Sequence, residues 1–301
     1  MIADCTFASF PVDSDCLSPF AEGHRRLSPA VERLSKNLCL FAEVEMSVAP
    51  TPGEIFKRAS REGRRRIGQS LLELTATGFI AGFTTVFGIA AMGVAHSAFL
   101  PAGRELAQLA GAAAFALGVV LLVVQRAELF SENFFDPLAS VFDDGHAGLA
   151  GGVARLWALT FVFNALGGAI LAWLITVEGV LPHGARESLA RIAEDIAGRG
   201  HLAAFVSAVI GGALVASLSY ALLGADSVFA RIVMAWIVGF LLASGPFDHV
   251  VVTALHLVVG VLAGATVDTM RIAEIVGVDI LGNLVGGVGL VTLSHVAQAK
   301  G

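Results

Sequence analysis

The chain has 301 residues, of which 56% are hydrophobic, 15% are charged and 34 are glycine, with a formal net charge of −6. A charged share so far below the ~25% usual for soluble domains excludes an ordinary soluble enzyme. Ten of the 19 Lys and Arg residues precede Gln69, so the chain divides into a polar N-terminal tail, residues 1–65, and one integral membrane domain, residues 66–301.

The tail carries all three cysteines, Cys5, Cys16 and Cys39, at spacings that fit neither a zinc site nor a redox pair. Asp4, Asp13 and Asp15 interrupt its first apolar residues, so no cleavable signal peptide is expected. Met46 precedes Ser-Val-Ala-Pro-Thr-Pro-Gly, a start-like context, which leaves two possible translation starts, Met1 and Met46. Residues 52–67 read as an amphipathic helix with Ile55, Phe56 and Ile67 as apolar anchors, lying at the cytoplasmic membrane face.

A bilayer core takes about 20 apolar residues in helical form. Six segments reach that length once interruptions are allowed: 71–94, 106–125 resuming at 138–142, 156–177, 202–223, 229 onward resuming through 250–262, and 275–296. Residues 184–199 alternate Arg and Glu with Leu189, Ile192 and Ile196, and read as an outer amphipathic helix capping a vestibule. Six spans put both termini on one side. Nine cations flank the spans there (Lys57, Arg58, Arg61, Arg64, Arg65, Arg66, Arg155, Arg231 and Lys300) against five opposite, which places the termini in the cytoplasm. Such flanking charge is what any polytopic protein needs, and no nucleic-acid role is assigned to it. The glycine pairs Gly167-Gly168, Gly211-Gly212 and Gly286-Gly287 read as close helix packing.

Two interruptions carry the functional signal. The first reads Phe130-Ser131-Glu132-Asn133-Phe134-Phe135-Asp136-Pro137, and the second Gly245-Pro246-Phe247-Asp248-His249. Each precedes a small-residue helix signature, and 34 positions separate Phe130 from Asn164 and His249 from Asn283 alike. Broken helices at corresponding places in repeated halves mark a transporter or channel pathway. Asp136 is expected to cap the first resumed helix with Pro137 at its first position. Pro246 is expected to end the leading half of the second, with Asp248 or His249 starting the trailing half. Free N–H groups at helix starts favour a small anion.

Within a span, at a break and beside an acid, His249 is the ionisable group expected to work. His256 is a secondary candidate, and Ser131 supplies a hydroxyl from the opposing loop. Glu128 and Glu132 are expected to tie down that loop, with Arg126 as a partner for Glu128. There is no paired carboxylate, nucleophile with its base, or metal-spaced His/Cys cluster, so no enzyme activity, cofactor or metal is expected.

At these residues the chain resembles the formate/nitrite transporter family, over residues 66–298. Glu128-Leu129-Phe130-Ser131 is similar to the family's Glu-Leu-Phe-Thr. Ala243-Ser244-Gly245-Pro246-Phe247-Asp248-His249 is similar to its Ala-Ser-Gly-Phe-Glu-His, with one inserted Pro and Asp for Glu, and the two Asn-Leu-Gly-Gly-like segments match. The resemblance implies an all-α, aquaporin-like fold of six transmembrane helices in two inverted three-helix repeats, with the second and fifth helices broken. It implies a homopentamer in membrane lipid and transport of small monovalent anions, proton-coupled in many members. By position, Phe115 matches an aromatic at the cytoplasmic constriction and Leu241 or Leu242 its partner. Phe130 and Ser131 match the loop residues near the central histidine, His249. Thr253 stands where the family has Asn, Gly211 falls on its fourth-span Asn, and Arg199 or His201 stands near its Lys. The extended N-terminus, Phe-Ser-Glu-Asn and Leu-Ser-His-Val-Ala-Gln resemble a divergent branch.

The reading is therefore an inner-membrane transporter of small weak-acid anions. Asn164 and Asn283 have structural roles in it, alongside Glu128 and Glu132. The alternatives are a passive channel for small neutral solutes and a non-conducting scaffold.

Overall fold

The computed structural model describes residues 50–301 apart from 145–147, 183 and 246. The three cysteines, Met46 and the break proline Pro246 lie outside the described residues. All regular structure among the described residues is helical. In chain order the elements are α1 (Pro52–Ile67), α2 (Leu71–Phe99), α3 (Arg104–Val124), a 3-10 turn (Phe130–Phe134) and α4 (Asp136–Asp144). There follow α5 (Gly148–Ile175), α6 (Ala185–Ala197), α7 (His201–Gly224), α8 (Val228–Ser244), α9 (Val250–Ala263) and α10 (Thr269–Asn283), which continues through a π-helical stretch, Leu284–Thr292, into α11 (Leu293–Lys300).

Among the described residues, five helical stretches are long and apolar enough to cross a bilayer, and α8 and α9 are shorter apolar helices on either side of the second break. The two breaks are thus unequal. α3 has 21 residues and reaches span length before its interruption, whereas α8, with 17, does not. Neither α8 nor α9 lines up enough apolar residues to span alone at 1.5 Å per residue.

Each half-helix lies beneath an amphipathic helix: α1 packs on α4, and α6 packs on α9. α1 starts at a capping box, in which the Glu54 N–H donates to the Thr51 hydroxyl (3.3 Å) and the Thr51 N–H donates to the Glu54 carboxylate (2.7 Å), with Pro52 in the first turn. Its Phe56 and Ala59 are buried with Phe135 and Ala139. Elsewhere α2 packs on α3 and α5, α3 on α8, and α7 on α10 and its π continuation.

Both breaks are held by one asparagine each. Asn164 on α5 donates to the carbonyls of Gly78 (2.8 Å) and Glu128 (3.0 Å) and accepts from the Phe130 N–H (2.9 Å). Asn283 on α10 donates to the carbonyls of Ala208 (2.7 Å) and Asp248 (2.9 Å) and accepts from the Val250 N–H (2.9 Å). In each case one amide bridges a carbonyl and an N–H two residues apart, the backbone groups that a broken helix leaves unpaired. The equivalent of Phe130 is therefore Val250, and Leu129 corresponds to His249. The matched spacing of 34 positions in the sequence paired residues one step out of register: the bonded separations are 34 and 33.

An asparagine can reach across only where the helices nearly touch. Gly82 on α2 backs directly onto the backbone of Asn164, and on α7 Gly211 backs onto Asp248 and Gly212 onto Asn283. A side chain at any of the three would strike main chain, which cannot step aside.

Three outcomes follow for stability. Gly212→Val, facing the Cα of Asn283 at 2.6 Å, costs about 1–3 kcal/mol or more by overpacking, read as a lower melting temperature in detergent. Asn283→Ala strands buried polar groups of the second break at about 1–3 kcal/mol each, with faster amide exchange at Val250 as its signature. At acid pH the ion pairs within α1 weaken. Burial pushes the Glu62 carboxyl up, but hydrogen bonds and charge from Arg65 and Arg66 outweigh it and hold the group down at about 2 against an ordinary value of 4.5. A depressed value means stability that is whole above 4.5 and is lost as pH falls toward 2, so Glu62→Gln flattens that limb of the melting-temperature profile.

Candidate functional site

The first break is tied to α1 by charge. The Glu128 carboxylate, buried at the break, pairs with Arg65 (3.0 Å) and Arg66 (3.2 Å) and accepts from Gln69 (3.3 Å). Arg66 also reaches Asp136 (3.5 Å) and the Asn133 side-chain carbonyl (3.0 Å). Two expectations are corrected here. Arg126, exposed at a left-handed turn (φ 55°), is not the partner of Glu128. Asp136 is the first helical residue of α4 and its carboxylate goes to Arg66, so it does not stand ahead of the helix as a cap with Pro137 first. The sequence hid both because the arginines sit about 60 positions away.

At the second break Asp248 is held in the same manner. One carboxylate oxygen takes Arg199 at 2.5 Å and the Thr253 hydroxyl at 3.5 Å, while the Asp248 N–H donates to Ser207 (2.9 Å). Each break therefore has an acid bound by an arginine that lies just before the helix its asparagine grips. Arg199, not His201, takes this position; His201 faces Glu274 at the surface.

His249 caps α9, accepting from the Val252 N–H through Nδ1 (3.5 Å). That leaves Nε2 to carry the ring proton in the neutral form, and Nε2 is hydrogen-bonded to the Ser131 hydroxyl across the two breaks. The ring is 1% exposed. It lies on the wall of a small chamber of about 30 Å³, with Thr85, Leu129, Glu132, Val215 and Leu218. That volume admits a species of only a few atoms.

Beyond it lies a vestibule of about 530 Å³ under α6, whose wall includes Arg104, Arg191, Glu194, Asp195, Arg199, Asp248, Thr253 and His256. Phe115, Leu242 and Val252 line both spaces and form the neck between them. This tells the two leucine candidates apart. Leu242 is 6% exposed and faces the neck, while Leu241 is 41% exposed and points outward. The neck stands between the chamber and the vestibule that α6 side chains line. α6 does more than cap the vestibule, since three of its charged side chains line it.

Phe130 is placed differently from expectation too. Its ring packs edge-on against Phe134 (5.2 Å), Phe161 (5.5 Å) and Trp157 (6.3 Å), and it lines neither space. His256 is satisfied, bonded to the Val252 carbonyl (3.0 Å) beside the Met92 sulfur (3.4 Å), with its ring on the vestibule wall. Glu132 lines the chamber, and its backbone carbonyl accepts from the Ser219 hydroxyl (3.4 Å).

One residue escaped the sequence reading. Asp279, a helical turn before Asn283, is 0% exposed with neither carboxylate oxygen hydrogen-bonded. An acid in the apolar helix ahead of Gly282-Asn283 was the available signal.

The described residues contain no group of three or more His, Cys, Asp or Glu side chains arranged to hold a metal ion. Two solved structures share the fold. An FNT family ion channel aligns at TM-score 0.72 and 15% identity, covering 81% of this chain and 98% of that one. A pentameric formate channel with formate bound aligns at TM-score 0.60 and 17% identity, covering 76% and 98%. Among curated relatives, the inner membrane protein YfdC of Escherichia coli (strain K12) is 25% identical over 188 residues, 62% of this chain. A probable formate transporter of Methanothermobacter thermautotrophicus is 27% identical over 260 residues, 79% of this chain. The chain spans 59% of the length of the first and 92% of the second. The sequence profile described as Formate/nitrite transporter matches residues 53–297. The chain is a multi-pass membrane protein, and it belongs to the formate/nitrite transporter family, a family of transporters and not of enzymes.

Proposed function

We propose that the protein carries small monovalent weak-acid anions, formate- or nitrite-like, across the inner membrane as a homopentamer with one pathway per protomer. In this reading α8 and α9 together make the fifth of six spans. The halves are inverted repeats centred on Asn164 and Asn283, the transport domain begins at residue 66, and both termini are cytoplasmic. The parallel geometry of the two asparagine-held breaks supports the repeat, and the likeness to a pentameric formate channel supports the assembly.

The observation that carries the reading is the buried His249–Ser131 pair on the wall of a few-atom chamber, separated by an apolar neck from a vestibule that holds three arginines. An anion collects at Arg104, Arg191 and Arg199, with Asp248 and Thr253 fixing the Arg199 end, and passes Phe115 and Leu242 toward His249. His249 takes a proton from the aqueous side and becomes imidazolium. It then hands that proton to the anion and returns to the neutral ring, with Ser131 holding the ring in place. The anion leaves as the neutral acid. Neutralisation matters because a charge in the hydrocarbon region costs at least about 2.5–3.5 kcal/mol.

The chamber is lined mainly by apolar side chains, which favours a second reading as a passive channel for small neutral solutes. Osmotic swelling of proteoliposomes without any anion flux would select it.

Uptake of formate, nitrite, acetate and hydrosulfide into proteoliposomes at acidic and neutral pH tests the first reading. His249→Phe abolishes the pH-dependent flux, and an unchanged pH profile in that variant removes the histidine mechanism. Leu242→Ala widens the neck and raises the flux of acetate relative to formate.

A further inference from the structure

Asp279 lies on α10, and α10 packs against α7, α9 and the end of α6. Its carboxyl is wholly enclosed, and neither oxygen has a hydrogen-bond partner. The charges that act on it are Asp248, which repels, and Arg199, which attracts, with the Thr253 hydroxyl as a polar neighbour. Arg199 is already committed to Asp248 at 2.5 Å, and Thr253 donates to that same carboxylate. The second Asp248 oxygen is itself buried without a hydrogen bond. Arg199 thus pairs with Asp248, and the enclosed Asp279 carboxyl has no ion-pair partner of its own among the described residues.

An unpaired charge in such a place costs far more than a neutral polar group. Something must neutralise the second carboxylate, and full enclosure limits what can do so. A cation with its oxygen ligands needs volume around the carboxyl; a proton needs none. We propose that Asp279 is a proton-binding site of the resting protein, one proton being held by the Asp248–Asp279 pair, and that this proton keeps the Arg199 end of the pathway open to anions.

With the proton in place, Arg199 and Asp248 cancel and the cluster is neutral. Losing it leaves a net negative charge beside Thr253 and Asp248, both on the vestibule wall, and an approaching anion is repelled. The other titratable or charged groups on the surrounding elements are His249 and His256 on the α9 side, Arg186, Glu187, Arg191, Glu194 and Asp195 on α6, His201 and Tyr220 on α7, and Arg271 and Glu274 on α10 itself. His201 and Glu274 are exposed and pair with each other, and His249 sits at the chamber beyond the neck. The second half of the inference rests on the anion-transport reading above; the first half does not.

The experiment has two arms on the reconstituted full-length protein. Infrared spectra at neutral pH record the carbonyl stretch of protonated buried carboxyls in the wild type, Asp279→Asn and His249→Phe. The expected result is a band present in wild type and His249→Phe and missing from Asp279→Asn; a band unaffected by Asp279→Asn overturns the proton site. Formate flux against pH is then measured in the same preparations. Above the titration of the pair, wild-type flux falls about tenfold per pH unit beyond the fall set by the proton carried through His249, while Asp279→Asn, the same size and permanently neutral, loses that extra fall and keeps the His249 dependence. Coincident pH profiles overturn the coupling to transport. If the wild type carries no anion at any pH, the transport reading has failed, and the infrared arm still decides the proton site. Asp279→Leu, neutral but unable to hydrogen-bond, reproduces the flux result where neutrality is what matters.

Discussion

A backbone group inside a membrane has no water to bond to, and a helix that stops there must find other partners or not stop. The rest of this structure depends on how that requirement is met twice. Asn164 and Asn283 each present one amide to both ragged ends of an interruption while anchoring to a neighbouring helix. Such a reach requires helices in near contact, so Gly82, Gly211 and Gly212 are consequences of the asparagines as much as of general membrane packing. The short half-helices follow from the breaks, and the amphipathic helices α1 and α6 follow from the half-helices, which each would otherwise expose one flank.

The two breaks meet the same backbone constraint and then diverge in chemistry. At the first, the acid is locked under Arg65 and Arg66, and an aromatic cluster of Phe130, Phe134, Trp157 and Phe161 packs the loop tightly. This end is a rigid platform whose hydroxyl, Ser131, meets the histidine. At the second, the position equivalent to Leu129 is His249, and the acid looks onto the vestibule beside Arg199 and Thr253. In the proposed pathway one break supports and the other carries the polar groups. The difference lies in single side chains on a shared backbone plan.

Much of this was legible in the sequence. The breaks announced themselves through Pro, Asp and His within apolar runs, and the pairing of halves through the recurring Asn-x-x-Gly-Gly spacing. His249 and Asp248 stood together because they are neighbours in one local motif, and the repeat of the breaks pointed to Ser131 as the hydroxyl opposite. What failed to show was the partner of the buried acid Glu128, distant in the chain. Arg126 was the nearest cation to Glu128 in sequence, yet Arg65 and Arg66 reach it from α1. Leu241 and Leu242 could not be told apart, since helix phase relative to α3 decides which one faces the neck. Phe130 lay in the right motif but turns toward α5. The register between halves was off by one because the asparagine bonds a backbone N–H, which leaves no mark on side-chain identity.

The sequence by itself determined the class: composition, interrupted apolar runs and glycine spacing require a polytopic membrane protein with two broken helices, because these are local properties of the chain in hydrocarbon. Only the tertiary structure decided which arginine neutralises which acid, on which face the neck forms, and that Asp279 lies enclosed beside Asp248. Those outcomes depend on the distance between helices remote in sequence, and charge pairing and enclosure are set by that distance alone.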